Sequence, residues 1–309
     1  MPIQTNIFAI ILMLRLSFID IQILHPISIL NTTDSILLNV LRLDKINEVV
    51  SGNKWFKLQY YLQDAVKNNI NTIATFGGAY SNHIAATAFA CKEYNLKCVG
   101  IIRGDESQTS HTLKFAKECG MQLIFISREN FRNKDAVKEK YKTNNWYWIN
   151  EGGYGIMGSQ GAASIMQYIP QNTTHIIAAI GTGTTFAGLI KAALPHQKII
   201  GINILKGNTS INNEINNLLT EEEQQKSFEI INQYHFGGYA KHPKELIEFM
   251  KQLWIENNLP TDIVYTSKMM FATLDLISKK YFPAESKIVA IHSGGLQGNF
   301  SLPPNTLPF

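Results

Sequence analysis

The stretch HIIAAIGTGTTFAGL, residues 175–189, decides how this chain folds. HIIAAI is apolar along nearly its whole length and rich in β-branched residues. It therefore reads as a short strand covered on both faces. Glycines and hydroxyls interrupt it at GTGTT, and TTFAGL opens a helix. An apolar strand feeding a helix through such a loop is the beginning of a parallel βα unit. Working outward, the same character recurs in SILLNVLRL (35–43), NTIATF (71–76), KCVGII (97–102), QLIFI (122–126) and WYWI (146–149). Downstream it recurs in KIIGINI (198–204), DIVYT (262–266) and KIVAI (287–291), which makes nine predicted strands. Between them the spacing predicts a helix from Lys54, with Trp55, Leu58, Leu62 and Ala65 on one face, and another over 83–94. Further helices are expected near 111–119, 133–142, 210–223, 243–257 and after residue 266. Nine such strands in 309 residues fit two parallel-sheet, three-layer α/β domains better than one sheet.

Composition narrows the function classes. The chain is 45% hydrophobic and 17% charged, and its 28 Lys and Arg against 24 Asp and Glu give a formal charge of +4. The cations are scattered without a basic stripe, which argues against nucleic-acid binding. Cys91, Cys98 and Cys119 form neither a disulfide framework nor a zinc ligand set, so a reducing, cytoplasmic location is expected and no metal. The apolar run IFAIILML (7–14) is cut by Arg15 and Asp20 short of the roughly 20 residues that span a bilayer. It also lacks a basic leader and a cleavage site, so a buried or irregular leader is expected rather than a membrane anchor. The proline-rich end, SLPPNTLPF, is expected to carry no regular structure.

In parallel α/β folds, ligands sit beyond the carboxyl ends of strands. Three turns lie there: GGAYSN after Phe76, GTGTT after Ile180 and HSGG after Ile291. In GTGTT the glycines admit a ligand close to the backbone, and free N–H groups with threonine hydroxyls make an anion nest, the alternative being a tight turn without ligand. No lysine follows as in a Walker loop, and the spacing is not that of a dinucleotide fingerprint. In VSGNKWFKL (50–58) a flexible turn delivers Lys54 to a helix start, where a cation is mildly unfavourable. Lys54 is thus either a solvated lysine or an amine held for chemistry, and Lys57 is a competitor. In GGAYSNH (77–83), Ser81 and Asn82 can cap the next helix. Gly77, Gly78, Tyr80 and His83 remain unexplained by capping, and the whole turn would suit an amino-acid carboxylate. Tyr239, Tyr265, Ser293 and Glu151 each have an ordinary structural reading as well.

In this order, SGNKWFKL, FGGAYSNHIAATA, GTGTTFAGL, FGGYAKHP, VYTSKM and HSGGLQG resemble the 1-aminocyclopropane-1-carboxylate deaminase/D-cysteine desulfhydrase family. These enzymes are pyridoxal-phosphate-dependent, of fold type II, and related to the tryptophan synthase β-subunit. The resemblance runs from about Leu41 to Gly298. It implies that Lys54 carries the cofactor as an imine, and that Gly181, Thr182, Gly183, Thr184 and Thr185 cradle its phosphate. Asn82 would bond the ring oxygen, and Ser293 would face the ring nitrogen. Ser81 would lie against the substrate with Tyr80, Asn82, His83 and Tyr239, and Tyr265 would join Lys54 and Ser81 as a catalytic group. It further implies a large cofactor-binding domain, 1–50 plus 156–309, a smaller one, 51–155, carrying Lys54 and the GGAYSN loop, and a homodimer.

The implied reaction is loss of the β-thiol from a small amino acid such as D-cysteine, giving pyruvate, ammonia and sulfide. A neutral hydroxyl at Ser293 favours such β-elimination. The alternative is the deaminase reaction, which opens the cyclopropane ring to 2-oxobutyrate and ammonia. Against it stand three expectations: His83 after Ser-Asn, Ser293 in place of an apolar residue, and Ala290 where the deaminase branch is expected to carry its second tyrosine. A nucleotide-binding oxidoreductase would need an acidic residue after KIIGINI, where Asn203 and Leu205 stand instead. A non-enzymatic descendant would leave Lys54, Ser81, Asn82 and the Gly/Thr loop unused together.

Overall fold

The computed structural model describes residues 23–28, 34–46, 52–106 and 110–309. The apolar run at 7–14 and the first two residues of VSGNKWFKL lie outside them. The chain begins with strands β1 (Leu24–Pro26) and β2 (Leu37–Arg42), followed by helix α1 (Asn53–Lys67). Next come β3 (Thr72–Gly78), α2 (Asn82–Glu93), β4 (Lys97–Arg103), α3 (His111–Glu118) and β5 (Met121–Ile126). Helices α4 (Arg128–Arg132) and α5 (Lys134–Lys140) precede β6 (Tyr147–Ile149) and α6 (Ile156–Ala163). Then follow β7 (His175–Ile180), α7 (Thr184–Ala192), β8 (Lys198–Asn203), α8 (Ile211–Asn216), α9 (Glu221–Gln224) and β9 (Phe228–Ile231). Helices α10 (Lys244–Asn257) and α11 (Thr266–Ser278) lead into β10 (Lys287–His292).

Two sheets result. A six-stranded sheet runs β1-β2-β10-β7-β8-β9 and a four-stranded one runs β5-β4-β3-β6. Every pairing is parallel except that of β1, which lies antiparallel on the edge of β2. Helices cover both faces of the larger sheet because successive strand residues point opposite ways. Ile176, Ala178 and Ile180 pack with Phe186, Ala187 and Leu189 of α7. Ile177, Ile200, Ile202 and Ala290 pack with Met269, Met270 and Ala272 of α11. The smaller sheet does the same, with Ile73, Cys98 and Ile102 on the α1 and α2 side, and Ala74, Val99 and Ile101 facing Phe131 and Val137.

Sequence periodicity misses four details. The expected strand at 262–266 is a turn that starts α11. Asp262 turns back on it, accepting the N–H groups of Val264 (2.8 Å), Tyr265 (2.8 Å) and Thr266 (2.9 Å), so its carboxylate completes the helix start and Tyr265 does not end a strand. Helix α6 has no apolar stripe because it is wedged between two other helices. A Cβ on Gly161 would lie 2.1 Å from the Phe56 carbonyl oxygen of α1, and one on Gly188 of α7 would lie 2.5 Å from the Ser159 oxygen. Strands β1 and β9, of 3 and 4 residues, are too short to show a period. The C-terminal residues have no helix or strand after Ser301, yet Leu302, Leu307 and Phe309 pack against the core, Phe309 beside Trp254 with ring centroids 5.2 Å apart. Among the described residues, no helix is long and apolar enough to cross a membrane.

Candidate active site

The carboxyl ends of the two sheets face a common cleft of about 590 Å³, open mouth included. Its wall is assembled from all three turns that follow strands β3, β7 and β10, together with the start of α1 and Tyr265.

Gly52 makes the α1 start possible. Its φ is +90°, and a Cβ there would lie 1.9 Å from the carbonyl oxygen of Ser293. Only glycine tolerates both. The turn is bolted down on two sides, Gly52 N–H donating to Leu43 O (2.9 Å) and Asn53 N–H to Ser293 O (3.1 Å). The Asn53 side chain then links two halves of the site. Its Nδ2 donates to Thr185 Oγ1 (2.8 Å), and its Oδ1 accepts from Lys54 Nζ (3.0 Å).

The first turn of α1 contains no acidic residue. Burial pushes the Lys54 amine down to about 8, opposed by the charge of Asp262. Lys57, three residues on and therefore on the same side of the helix, is only 3% exposed and donates to Gly152 O (3.0 Å). Burial, then the charge of Lys54, holds Lys57 well below the ordinary lysine range. Two amines crowded in one desolvated corner prepare that corner for an anion. Sequence reasoning left Lys57 as a bystander to Lys54, yet both line the cleft. Asn53 was missed altogether, although its place between Gly52 and Lys54 is the available signal.

In the Gly/Thr loop, Gly183 adopts φ +76°, and a Cβ would meet Ile215 Cγ1 at 2.7 Å. Thr182 and Thr184 hydroxyls lie 3.0 Å apart. Gly181 passes directly under Tyr265, whose ring would be 3.0 Å from a Cβ at that position. Burial, then the neighbourhood of Tyr239 and Asp262, raises the Tyr265 phenol well above its usual range, so it stays protonated. Tyr239 stands edge-on to it, with centroids 6.4 Å apart, and is half exposed outside the cleft lining.

From the β3 turn, Asn82 reaches the wall, and its amide oxygen is buried without a hydrogen-bond partner. Ser81 caps α2, accepting from Ile84 N–H (3.4 Å). His83 sits behind the wall, 1% exposed. The Thr75 hydroxyl donates to Ile149 O (2.8 Å) and so accepts from His83 Nε2 (2.8 Å), leaving Nδ1 without a proton or a partner. Burial and the two lysines keep the imidazole neutral. Tyr80 is 57% exposed outside the cleft lining. Ser293 and Gly294 line the cleft opposite. Ala290, by contrast, is fully buried against α11, two strand residues below the site. The tyrosine that joins Tyr265 is Tyr239.

A protein family described as pyridoxal-phosphate dependent enzyme matches residues 38–294. The chain is 28% identical over 280 residues to a Thermotoga maritima protein named "Putative 1-aminocyclopropane-1-carboxylate deaminase", covering 84% of this chain and 88% of that protein. A Pyrococcus abyssi protein of the same name is 28% identical, covering 81% and 82%. Among solved structures, one titled as an ACC deaminase homologue superposes with TM-score 0.74 at 24% identity, over 85% of this chain and 86% of that one. A hydrogen sulfide-producing enzyme from Fusobacterium nucleatum superposes with TM-score 0.63 at 16% identity, over 88% and 92%. These likenesses place the fold among the type II enzymes of this group.

Proposed function

Since this chain belongs to the pyridoxal-phosphate dependent enzyme family, we propose that it removes the β-thiol and the amino group of a small amino acid, D-cysteine in the first instance. The products are pyruvate, ammonia and hydrogen sulfide. One observation carries the reading: the desolvated Lys54 amine stands where the Gly/Thr loop, Asn82 and Ser293 converge.

The residues present fit the cofactor. The Gly181–Thr185 loop, with its αL glycine at the start of α7, suits a phosphate. The unpartnered Asn82 amide suits a ring oxygen, and the neutral Ser293 hydroxyl suits a ring nitrogen. Lys54 is the amine to hold the carbonyl carbon. When bound, the group supplies an electron sink for the substrate's α-carbon. The protein does the rest. Ser81 and the N–H groups of the β3 turn orient the substrate carboxylate, and Lys54, its amine already desolvated, takes the α-proton. Tyr265, held protonated, faces the departing sulfur, and Tyr239 closes the rim above it. The same reading takes residues 1–50 with 156–309 as the cofactor-binding domain, 51–155 as the smaller domain, and the working protein as a cytoplasmic homodimer.

The Tyr239–Tyr265 pair favours a second reading, the opening of 1-aminocyclopropane-1-carboxylate, which has no α-proton and needs such groups around its ring. Giving the cofactor-loaded protein each substrate separately distinguishes the two. Pyruvate with sulfide from D-cysteine alone is expected. 2-Oxobutyrate from the cyclopropane acid would make the second reading the right one, and no product from either would overturn both.

A further inference from the structure

Lys268 is a lysine with no exposed surface, on the first turn of α11, that the proposed chemistry does not use. Its ammonium donates to the carbonyl oxygens of His235 (2.9 Å) and Gly238 (2.6 Å). Both belong to HFGGYA, the irregular turn that carries Tyr239. This turn is strained: Phe236 (φ 51°), Gly237 (91°), Gly238 (115°) and Ala240 (55°) all lie in the left-handed region, two of them without glycine's freedom. Its internal bonds are local, from Gly238 N–H to His235 O (2.9 Å), Gly237 N–H to His235 Nδ1 (3.0 Å), Lys241 N–H to Gly238 O (3.2 Å) and between His242 Nδ1 and Ala240 O (2.8 Å). Contact with α11 comes from Lys268 and from Phe236, whose ring meets Phe271 edge-on at 4.9 Å.

The other tyrosine is close by in the chain: Tyr265 is the residue just before α11, three before Lys268, and its carbonyl accepts from Met269 N–H (3.1 Å). We infer that Lys268 is a positioning residue for Tyr239: by tying the His235 and Gly238 carbonyls to α11, it sets where the Tyr239 ring stands over Tyr265. A buried charge normally demands a partner. Here two backbone carbonyls and the nearby charge of Asp262 serve, while burial lowers the amine to about 8. Protonated or neutral, the amine can donate both bonds, so the clamp is not a pH switch.

The inference rests on the reading that the two tyrosines face the substrate. Its test is a double-mutant cycle on the cofactor-loaded protein with D-cysteine, using Tyr239→Phe, Lys268→Met and the two combined. Lys268→Met is expected to lower kcat on the order of tenfold to a hundredfold, as a misplacement of about 1 Å does, with the affinity for the cofactor unchanged. The double variant is expected to be no slower than the slower single one, because both changes remove the same contribution. Lys268→Arg, which keeps donors, is expected to recover part of the rate. Hydrogen exchange of the apoprotein gives an independent readout: residues 236–241 are expected to exchange at least about tenfold faster in Lys268→Met, with α11 unchanged. Should Lys268→Met fold poorly, Lys268→Gln, whose shorter amide replaces the ammonium, carries the same cycle. Multiplying losses in the double variant, or faster exchange throughout the protein, would reduce Lys268 to a structural lysine and overturn the inference. A silent Tyr239→Phe would instead overturn the role given to Tyr239 under the proposed function.

Discussion

At the scale of single residues, the chemistry rests on one amine. Lys54 is half-buried, and its ammonium is depressed to about 8 by burial despite the opposing charge of Asp262. The neutral, reactive fraction therefore grows as pH rises and levels off above that value. Covalent capture of pyridoxal phosphate by the apoprotein, followed by visible absorbance, is expected to quicken about tenfold per pH unit below 8 and flatten above it. A profile still rising steeply at pH 10 would mean the amine is not desolvated. Lys57 does not replace Lys54, since its Nζ is committed to Gly152 O. The sequence could rank these two lysines only through the Gly-Asn-Lys resemblance, because periodicity treats both as ordinary positions of one helix. Nothing in the sequence reveals that Lys57 is buried; that follows from α6 and the 152–155 turn closing over α1.

At the scale of elements, the site depends on how the α1 start meets the turn after β10. Gly52→Ala would force a Cβ into the Ser293 carbonyl from a left-handed backbone. It is expected to cost at least about 1–3 kcal/mol of stability and to weaken cofactor binding, read by denaturant unfolding and by titration of the apoprotein. Beneath that turn lies a buried charge cluster. Asp44 accepts from Arg42 Nε (2.8 Å) and Nη2 (2.7 Å) and lies 3.0 Å from His292 Nδ1, while His292 Nε2 reaches Pro260 O (2.8 Å). Burial opposes the Asp44 charge, but His292 and Arg42 more than offset it and hold the carboxyl far below its ordinary range. Because its folded value is depressed, its stabilisation is present above the usual carboxylate range and is lost only as pH falls toward the folded value. Asp44→Asn is expected to cost about 3–5 kcal/mol near neutral pH, by leaving the buried Arg42 guanidinium without its counter-charge, and less in strong acid. Strand and helix positions were readable wherever a full period was present. The turn at Asp262 was not, because IVY looks like a strand until its capping carboxylate is seen.

At the scale of the whole molecule, alternating apolar strands and helices announced two layered parallel sheets, and the structure has them in orders β1-β2-β10-β7-β8-β9 and β5-β4-β3-β6. What the sequence could not provide was the meeting of turns roughly 100 to 240 residues apart around one cleft, which depends on sheet order rather than local pattern. The same holds for Tyr239, on an irregular turn, whose edge-on contact with Tyr265 no local pattern shows. The central claim is that this cleft holds pyridoxal phosphate through Lys54. The most direct measurement is to reduce the cofactor-loaded protein with borohydride, digest it and map the peptide that carries the added mass. The label is expected on Lys54 and absent from a Lys54→Ala variant. A label on Lys57 or Lys268, or one that persists in Lys54→Ala, would contradict the account.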